Sequence, residues 1–318
     1  MHSETQKFSI LNSQFLIMVG LGTALITHFT ASGQIDFAAL ERLLDKQLAG
    51  HVDYLVVLGT TGEAATMTAA EKEQVCNCIF NKVGNRLPLV LGLGGNCTAQ
   101  VVAEIEQKRT WLQEHFAAIL SVCPYYNKPS QEGLYQHFTT IAQASPVPVI
   151  LYNVPGRTGV NLLPETVMRI YEAQPDKILG IKEASGNLDQ IRHLIQLTDS
   201  PIHRFTDSPT LRVISGDDGI AAEVMQAGGA GLISVASNAW PEEFGQIVRS
   251  TDKELQTALQ TRFADIVRLL FKEGNPAGIK TVLSQMGIID NYLRLPLVPN
   301  SPEVQKEISE QITLLTRQ

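Results

Sequence analysis

Lys182 is the residue of this chain best suited to covalent chemistry. It closes a short apolar run, Ile178-Leu179-Gly180-Ile181, and is followed by Glu183. Burial disfavours the cationic form of a lysine, and a neutral amine can attack a ketone to form a Schiff base. The competing interpretation is an ordinary ion pair with Glu183 or Glu63, the side-chain stem packing on apolar surface.

Hydroxyl groups with matching chemistry follow the ends of other apolar runs. Tyr152 ends one run, Tyr126 lies in the segment Pro124-Tyr125-Tyr126-Asn127, and Thr60 follows Gly59. Schiff-base chemistry needs several proton transfers around one carbon, so a relay of hydroxyls beside the amine has a purpose. A structural interpretation stays open for each, because tyrosines often pack with a satisfied hydroxyl and threonines occur in turns.

Arg157 and the pair Thr60-Thr61 indicate what the amine would act on. A guanidinium binds a carboxylate through two parallel N–H bonds. Two threonines between glycines can present hydroxyls and backbone N–H groups to a small carboxylate. The set predicts a 2-oxo acid substrate, with its keto carbon at Lys182 and its carboxylate at Thr60-Thr61. Taken alone, Arg157 is more typical of an ordinary loop cation.

The elements that must position these groups repeat as a strand followed by a helix. Short apolar runs, each bounded by Gly, Pro or polar residues, end near Ile26, Leu58, Leu91, Val122, Tyr152, Ile181, Ile214 and Val235. Such runs are typical of parallel strands buried on both faces. Eight βα units predict an α/β protein with a (β/α)8 TIM barrel, whose working residues follow the C-terminal ends of the strands. An open, doubly wound sheet is the alternative.

Helix signals between the runs support the same pattern. Asp36 is a candidate N-cap, Thr68 and Glu71 form a capping box, and Pro164 suits a first helical turn. After Ser237 only helical patterns remain, and they cover Pro241–Arg249, Lys253–Lys272, Gly278–Met286 and Pro302–Arg317. The prediction is a lead-in over residues 1–17, a barrel over 18–238 and a C-terminal helical extension over 239–318.

Composition excludes several classes of partner. The net charge is −7 and no run of basic residues occurs, so neither nucleic acid nor an anionic membrane is an expected partner. The four cysteines form no Cys-x-x-Cys pair, so neither a disulfide framework nor structural zinc is expected, and a reducing cytoplasm is the expected compartment. No metal or cofactor is expected. Asp217-Asp218 lacks a third ligand nearby in sequence and is typical of a helix N-terminus.

The N-terminal apolar stretch, residues 8–26, has a faint likeness to a signal peptide. Its flanking region is barely basic and no cleavage site is clear, so we interpret its second half as the first buried strand. Met18 is a candidate for the biological start.

Several short motifs, in order along the chain, resemble the dihydrodipicolinate synthase / N-acetylneuraminate lyase superfamily. They cover roughly residues 18–300 and are jointly specific, although each is short. They are Gly59-Thr-Thr-Gly-Glu63, Pro124-Tyr-Tyr-Asn-Lys-Pro129, Ser130-Gln-Glu-Gly133, Leu151-Tyr-Asn-Val-Pro-Gly-Arg-Thr-Gly159, Gly180-Ile-Lys-Glu-Ala184, Ile214-Ser-Gly-Asp-Asp218, Gly274-Asn-Pro276 and Leu293-Arg-Leu-Pro296. Within the superfamily, the double threonine, the tyrosine pair and Arg157 resemble the 4-hydroxy-tetrahydrodipicolinate synthase family most closely.

The resemblance implies a reaction and a role for each residue. That family condenses pyruvate with aspartate 4-semialdehyde in lysine and diaminopimelate biosynthesis, without a cofactor. It implies that Lys182 forms the pyruvate Schiff base and that Thr61 holds the pyruvate carboxylate. The remaining implied roles are a proton relay of Tyr152, Thr60 and Tyr126, a carboxylate clamp at Arg157, and a pocket lined by Gly216 and Ile233.

The resemblance also implies self-association. Members are usually homotetramers built as a dimer of dimers, with Tyr126 reaching into the active site of a neighbouring subunit.

Two departures from the family pattern stand out. The usual Thr-Pro-Phe after the first strand is Thr27-His28-Phe29 here; His28 either only alters a turn or perturbs the proton relay, since imidazole titrates near neutral pH. Positions that bind lysine in feedback-inhibited members correspond here to Ala69, Lys72 and Gln100, while Asn96 and Tyr125 remain. Because the cation of Lys72 repels the ammonium groups of lysine, weak or absent lysine inhibition is expected.

Two other functions stay open at this point. One is another pyruvate-dependent class I aldolase, such as N-acetylneuraminate lyase or a 2-keto-3-deoxy sugar-acid aldolase, whose substrates do not call for the carboxylate clamp at Arg157. The other is a non-catalytic paralogue that binds a keto acid.

Overall fold

The computed structural model describes residues 19–198 and 210–317. The strands in these ranges are β1 Gly20–Ala24, β2 Tyr54–Val57, β3 Leu89–Gly92, β4 Ala118–Val122, β5 Val149–Asn153, β6 Ile178–Glu183, β7 Arg212–Ser215 and β8 Gly231–Ser234. They form a closed barrel in the order of the sequence. The TIM-barrel prediction is therefore confirmed and the open doubly wound alternative is wrong, because an open sheet has edges that this barrel does not have.

The strands are parallel and buried almost throughout. Residues of β5 and β6 are all buried, and β5 pairs with β6 so that Tyr152 lies opposite Lys182 and Asn153 opposite Glu183. Side chains alternate faces along a strand. Tyr152 and Lys182 therefore share one face of the sheet, and Asn153 and Glu183 share the other.

Helices follow the strands. They are α1 Phe37–Ala49, α2 Ala69–Val83, α3 Thr98–Gln107, α4 Arg109–His115, α5 Gln131–Ala144, α6 Pro155–Thr158, α7 Pro164–Ala173, α8 Leu188–Thr198, α9 Ala221–Gln226, α10 Pro241–Arg249, α11 Lys253–Lys272, α12 Ala277–Gln285 and α13 Pro302–Thr316. None of the helices within the described ranges is long and apolar enough to span a membrane.

The helix starts lie where local chemistry places them. Asp36 caps α1 by accepting from the N–H of Ala39, and Thr68 and Glu71 form the predicted capping box of α2. Pro164 occupies the first turn of α7. Capping groups satisfy backbone N–H groups that a helix leaves unpaired, which is why the sequence located these boundaries correctly.

Contacts divide the chain into two compact units. The first contains Gly20, Pro88–Asp217 and Glu223–Leu232, and the second contains Leu21–Leu87, Asp218–Ala222 and Ile233–Gln318. In the second unit, Phe263 of α11 packs edge-to-face against Trp240 and Phe244, with ring centroids 5.4 and 5.5 Å apart. The division into 1–17, 18–238 and 239–318 stays a prediction, and its lead-in, with Met18, lies outside the described residues.

Candidate active site

Lys182 and Tyr152 form the centre of the candidate site in the first unit. Both side chains are buried, with exposures of 6% and 7%, and the Nζ of Lys182 lies 4.5 Å from the centroid of the Tyr152 ring. The register of β5 and β6 makes this contact, because it sets the two residues side by side. The amine and the phenol that the sequence analysis assigned to one site therefore lie together.

Gly216 leaves room for the lysine side chain. A Cβ at this position would lie 2.9 Å from Cε and 3.0 Å from Cγ of Lys182, and 2.6 Å from Cβ of Ala184. Carbon atoms in contact lie near 3.5–4.0 Å, so any larger residue would displace Lys182 or Ala184. The predicted pocket position of Gly216 thus has a steric basis.

Neither carboxylate proposed as an ordinary ion-pair partner binds Lys182. Glu183 accepts hydrogen bonds from Asn153, from Gln190 and from the backbone N–H of Ser185. Glu63 pairs with Lys280 at 2.5 Å. Within the described ranges Lys182 makes no ion pair, so the interpretation of Lys182 as a simple ion-pairing residue is wrong.

Arg157 lies on the short helix α6, which follows β5 directly. Gly159 ends this helix with a left-handed backbone (φ 73°), a conformation that favours glycine. Arg157 itself is exposed. The backbone N–H of Tyr126 donates to the carbonyl of Thr158 at 3.3 Å, so the loop after β4 is joined to the Arg157 turn.

Tyr126 presents its side chain to solvent. It has a positive φ of 75° and an exposure of 90%, and the neighbouring Tyr125 is 45% exposed. The structure therefore does not pack Tyr126 against Lys182 and Tyr152 of its own chain.

Thr60 and Thr61 lie in the second unit, within the 3₁₀ helix Thr60–Gly62 that follows β2. Thr60 is exposed, whereas Thr61 is buried and its Oγ1 accepts from Nδ2 of Asn275 at 2.9 Å. Accepting this bond leaves the hydroxyl proton of Thr61 for another partner. Ile233, a residue of β8 that belongs to the same unit, is fully buried.

A buried ion pair supports the threonine loop. Glu63 ends the 3₁₀ helix in a left-handed conformation (φ 53°), which is uncommon for a residue with a side chain. Its carboxylate binds Lys280, and both side chains have 0% exposure. Burial lowers the pKa of Lys280 and the Glu63 carboxylate opposes this. The Nζ of Lys280 also donates to the carbonyl of Tyr292.

Arg294 ties the C-terminal segment to the same region. Its guanidinium binds the carboxylate of Glu71 and the carbonyls of Gly33 and Thr66, and its backbone N–H donates to Glu63. Hydrogen bonds from Arg294 and from the backbone of Thr68 lower the pKa of Glu71 to about 2.

His28 is a buried neutral imidazole. Its exposure is 1%, and its ring nitrogens have no hydrogen-bond partner among the described residues. Burial, and then the charges of Lys280 and Arg42, lower its pKa to about 3. His28 therefore does not titrate near neutral pH, and the interpretation that its titration perturbs the relay is wrong.

The described residues contain no group of three or more His, Cys, Asp or Glu side chains arranged to hold a metal ion. Asp218, which the sequence analysis assigned to a helix N-terminus, begins a 3₁₀ helix and accepts from the backbone N–H groups of Val235 and Ala236.

Comparison with known proteins decides the family. The model of the dihydrodipicolinate synthetase family matches residues 18–315. The chain belongs to this family. It is 46% identical to the 4-hydroxy-tetrahydrodipicolinate synthase of Parabacteroides distasonis over 300 residues, which is 93% of this chain and 97% of the relative. The protein is accordingly an enzyme, a lyase-type synthase.

Solved structures of family members agree with the fold. The crystal structure of dihydrodipicolinate synthase from Thermotoga maritima matches with a TM-score of 0.87 and 36% identity, covering 94% of this chain and 99% of that one. The chloride-inhibited dihydrodipicolinate synthase from Acinetobacter baumannii, complexed with pyruvate, matches with a TM-score of 0.86 and 35% identity, covering 94% and 99%.

Sequence reasoning assigned no role to the residues of this family member that support the threonine loop after β2. They are Asn275, Lys280 and Arg294 of the predicted C-terminal extension; Asn275 and Arg294 stand in two motifs of the resemblance, but the motifs alone gave no structural role. One signal was available: Lys280 interrupts the apolar stretch from Ile279 to Leu283, and a charge on a buried helix face requires a partner.

Proposed function

We propose that this enzyme condenses pyruvate with L-aspartate 4-semialdehyde in the cytoplasm, as a 4-hydroxy-tetrahydrodipicolinate synthase of diaminopimelate and lysine biosynthesis. The observation that carries the proposal is a buried lysine, Lys182, that lies against the Tyr152 ring and has no carboxylate partner in the described ranges. Family membership and the pyruvate complex of the Acinetobacter relative support the same substrate.

The proposed chemistry begins at the amine of Lys182. The amine attacks the keto carbon of pyruvate, and the carbinolamine loses water to give a Schiff base. Loss of a methyl proton gives an enamine, whose carbon bonds to the aldehyde carbon of the semialdehyde while the aldehyde oxygen takes up a proton. The substrate amino group then attacks the imine carbon, closes the ring and releases Lys182.

Each proton transfer in this sequence needs a carrier close to the reacting carbon. We assign the relay to Tyr152, Thr60 and Tyr126. Tyr152 is supported by its contact with Lys182, and Thr60 by its position at the start of the 3₁₀ helix that follows β2.

The two substrate carboxylates have separate proposed partners. Thr61 holds the carboxylate of pyruvate, supported by the hydrogen bond from Asn275 that orients its hydroxyl. Arg157 binds the carboxylate of the semialdehyde, because its guanidinium is suited to two-point binding. Gly216 and Ile233 line the pocket. The assignment of Gly216 is supported by the space that it leaves for the side chain of Lys182.

We further propose that the enzyme works as a homotetramer, a dimer of dimers, in which Tyr126 completes the relay of a neighbouring subunit. The support is its 90% exposure beside the half-exposed Tyr125. Exposed tyrosines are typical of protein interfaces, where the ring is buried and the hydroxyl is paired.

Weak or absent inhibition by lysine is part of the proposal. Ala69 and Lys72 lie in the first turn of α2, and Gln100 is exposed on α3. Neither Ala69 nor Gln100 supplies a carboxylate for the ammonium groups of lysine, and Lys72 repels them. We expect activity at millimolar lysine to stay within about twofold of the uninhibited rate. Loss of most activity in that titration would refute this part.

Borohydride reduction in the presence of pyruvate, followed by mass spectrometry of the peptide containing Lys182, tests the covalent step. We expect a reduced pyruvyl adduct on Lys182, and none in a Lys182→Ala variant. No adduct in a folded sample would refute the mechanism and favour a keto-acid-binding protein. With the adduct present, turnover of sugar aldehydes in place of aspartate semialdehyde would identify another pyruvate-dependent aldolase.

A further inference from the structure

A network of amide and carboxylate side chains lies on the face of β5 and β6 opposite to Tyr152 and Lys182. Asn153 and Glu183 are neighbours across the two strands, and Nδ2 of Asn153 donates to Oε2 of Glu183 at 2.9 Å. Gln190, on α8, donates to the same oxygen at 3.1 Å. Asn153 and Glu183 are 0% and 1% exposed, so the bond between them is shielded from water and hard to replace.

Glu183 determines the direction of every bond in this network. A carboxylate only accepts hydrogen bonds, so Asn153 and Gln190 must both turn their NH₂ groups toward it. The carbonyl oxygen of Gln190 then accepts from Nδ2 of Asn161 at 2.8 Å, while its NH₂ group also donates to Oδ1 of Asn161 at 3.1 Å. The amide orientations of three residues thus follow from one acceptor.

The network closes the loop that carries Arg157. Oδ1 of Asn153 accepts from the backbone N–H of Leu162, nine positions later, and Nδ2 of Asn153 donates to Asn161 at 2.7 Å. Gln131 of α5 holds the same end of the loop, since its amide binds the carbonyl of Asn161 and the N–H of Leu163. Asn153 forms one fixed end of the loop and Asn161 to Leu163 form the other. The helix with Arg157 lies between them.

We propose that Asn153, Asn161, Glu183 and Gln190 are positioning residues that place the Arg157 turn to receive the carboxylate of the second substrate. This inference rests on the proposed function. A planar guanidinium binds a carboxylate through two parallel bonds only over a narrow range of positions. A displacement of about 1 Å from a remote change is enough to reduce productive binding strongly. The network therefore sets selectivity for an aldehyde that bears a carboxylate.

Gln190→Ala is the most direct test. Gln190 is only partly buried, and alanine suits its position on α8, so the variant is expected to fold. We expect the KM for aspartate semialdehyde to rise roughly tenfold, with the KM for pyruvate and the borohydride-trapped adduct on Lys182 unchanged. Gln136→Ala is the matched control, because the side-chain amide of Gln136 donates to Glu132 on the exposed face of α5.

A double-mutant cycle shows whether Gln190 acts through Arg157. In an Arg157→Ala background, Gln190→Ala is expected to change the KM for the semialdehyde by less than twofold, since the group that it positions is gone. Equal effects of Gln190→Ala in both backgrounds would overturn the proposal, as would parallel rises in the KM for pyruvate and the semialdehyde.

Glu183→Gln gives a second, independent variant. The substitution replaces one carboxylate oxygen with an NH₂ group. This NH₂ group then faces another donor, either the N–H of Ser185 or the NH₂ groups of Asn153 and Gln190. We expect the same selective rise in the KM for the semialdehyde. If the wild-type protein forms no pyruvate adduct, the proposed function fails; if it turns over both substrates and these variants show no selective effect, only the positioning role fails.

Discussion

Two buried lysines of this protein differ in what surrounds their amines. Lys280 has 0% exposure and is paired with Glu63, which keeps a counter-charge against its ammonium group. Lys182 contacts the Tyr152 ring and makes no ion pair in the described part of the chain. The amine of Lys280 is thus held in an ion pair, whereas no described carboxylate holds that of Lys182, which supports the proposed covalent chemistry at Lys182 and a structural role for Lys280.

Removing Lys280 should destabilise the fold severely. Lys280→Met leaves the Glu63 carboxylate buried and unpaired, which is expected to lower the free energy of unfolding by about 3–5 kcal/mol. Lys82→Met is the control, because Lys82 pairs with Asp45 on the surface and its loss is expected to cost less than about 1 kcal/mol. Urea unfolding of both variants measures the difference; equal losses would contradict the argument.

His28 makes stability depend on pH. Its pKa is about 3 in the folded protein against 6.5 for a free imidazole, so between these values the unfolded chain binds the additional proton. His28 makes its full contribution to the free energy of unfolding above pH 6.5, and this contribution is lost as the pH falls toward 3. Between pH 7 and pH 5 we expect the free energy of unfolding to fall by roughly 2 kcal/mol on this account.

Urea unfolding of His28→Gln at the two pH values isolates this effect. His137, whose burial lowers its pKa to about 4, contributes equally to both proteins. The wild type should lose roughly 2 kcal/mol more than the variant. The same loss in both proteins would show that His28 is not the source.

Among the elements, the C-terminal extension supports the loop after β2. Just before α12, Asn275 binds the hydroxyl of Thr61, while Lys280 holds Glu63 and Arg294 holds Glu71. Three residues of the extension thus support the loop after β2 and the start of α2. This loop carries the proposed pyruvate carboxylate site, so under the proposed function the extension positions that site.

Asn275→Ala tests the role of the extension. Thr61 loses the donor that orients its hydroxyl, and we expect kcat/KM for pyruvate to fall roughly tenfold, as one lost hydrogen bond implies. Gln285→Ala serves as the control within the same extension, because its amide binds the carbonyl of Gln305 at an exposed position. A similar decrease in both variants, or none in Asn275→Ala, would contradict this role.

Local signals in the sequence predicted the strands and helices, but they did not predict the long-range contacts between side chains. Runs of apolar residues gave the eight strands, and the caps Asp36 and Thr68 gave helix starts, because both depend on residues close in sequence. The bond from Asn275 to Thr61 spans 214 positions, and no pattern in the sequence pairs an asparagine with one threonine among many. The Asn153–Glu183 bond likewise depends on strand register, which only the folded barrel fixes.

At the scale of the whole molecule, Tyr126 is the proposed relay residue that its own chain leaves in solvent. If a second copy uses it, two inactive variants should restore each other. Mixing Tyr126→Phe with Lys182→Ala through a cycle of dissociation and reassociation creates mixed dimers with one complete site. We expect about a quarter of the wild-type activity from an equal mixture.

Each variant alone is expected to show little activity. Tyr135→Phe is the control and should retain full activity, because Tyr135 lies on α5 and stacks on Arg169. No recovery in mixtures that contain mixed dimers, as detected by mass spectrometry of the intact assemblies, would contradict a role for Tyr126 in a neighbouring subunit.

The ion pair between Arg294 and Glu71 also bears on how the chain matures as it is made. Arg294 lies 223 positions after Glu71, and ribosomes add about 5–20 residues per second. For roughly 10–45 s after Glu71 is polymerised, the residues that hold it and the threonine loop do not yet exist. The loop after β2 and the start of α2 therefore gain this support only after residue 294 has been added, so a chain truncated before Arg294 lacks the ion pair with Glu71.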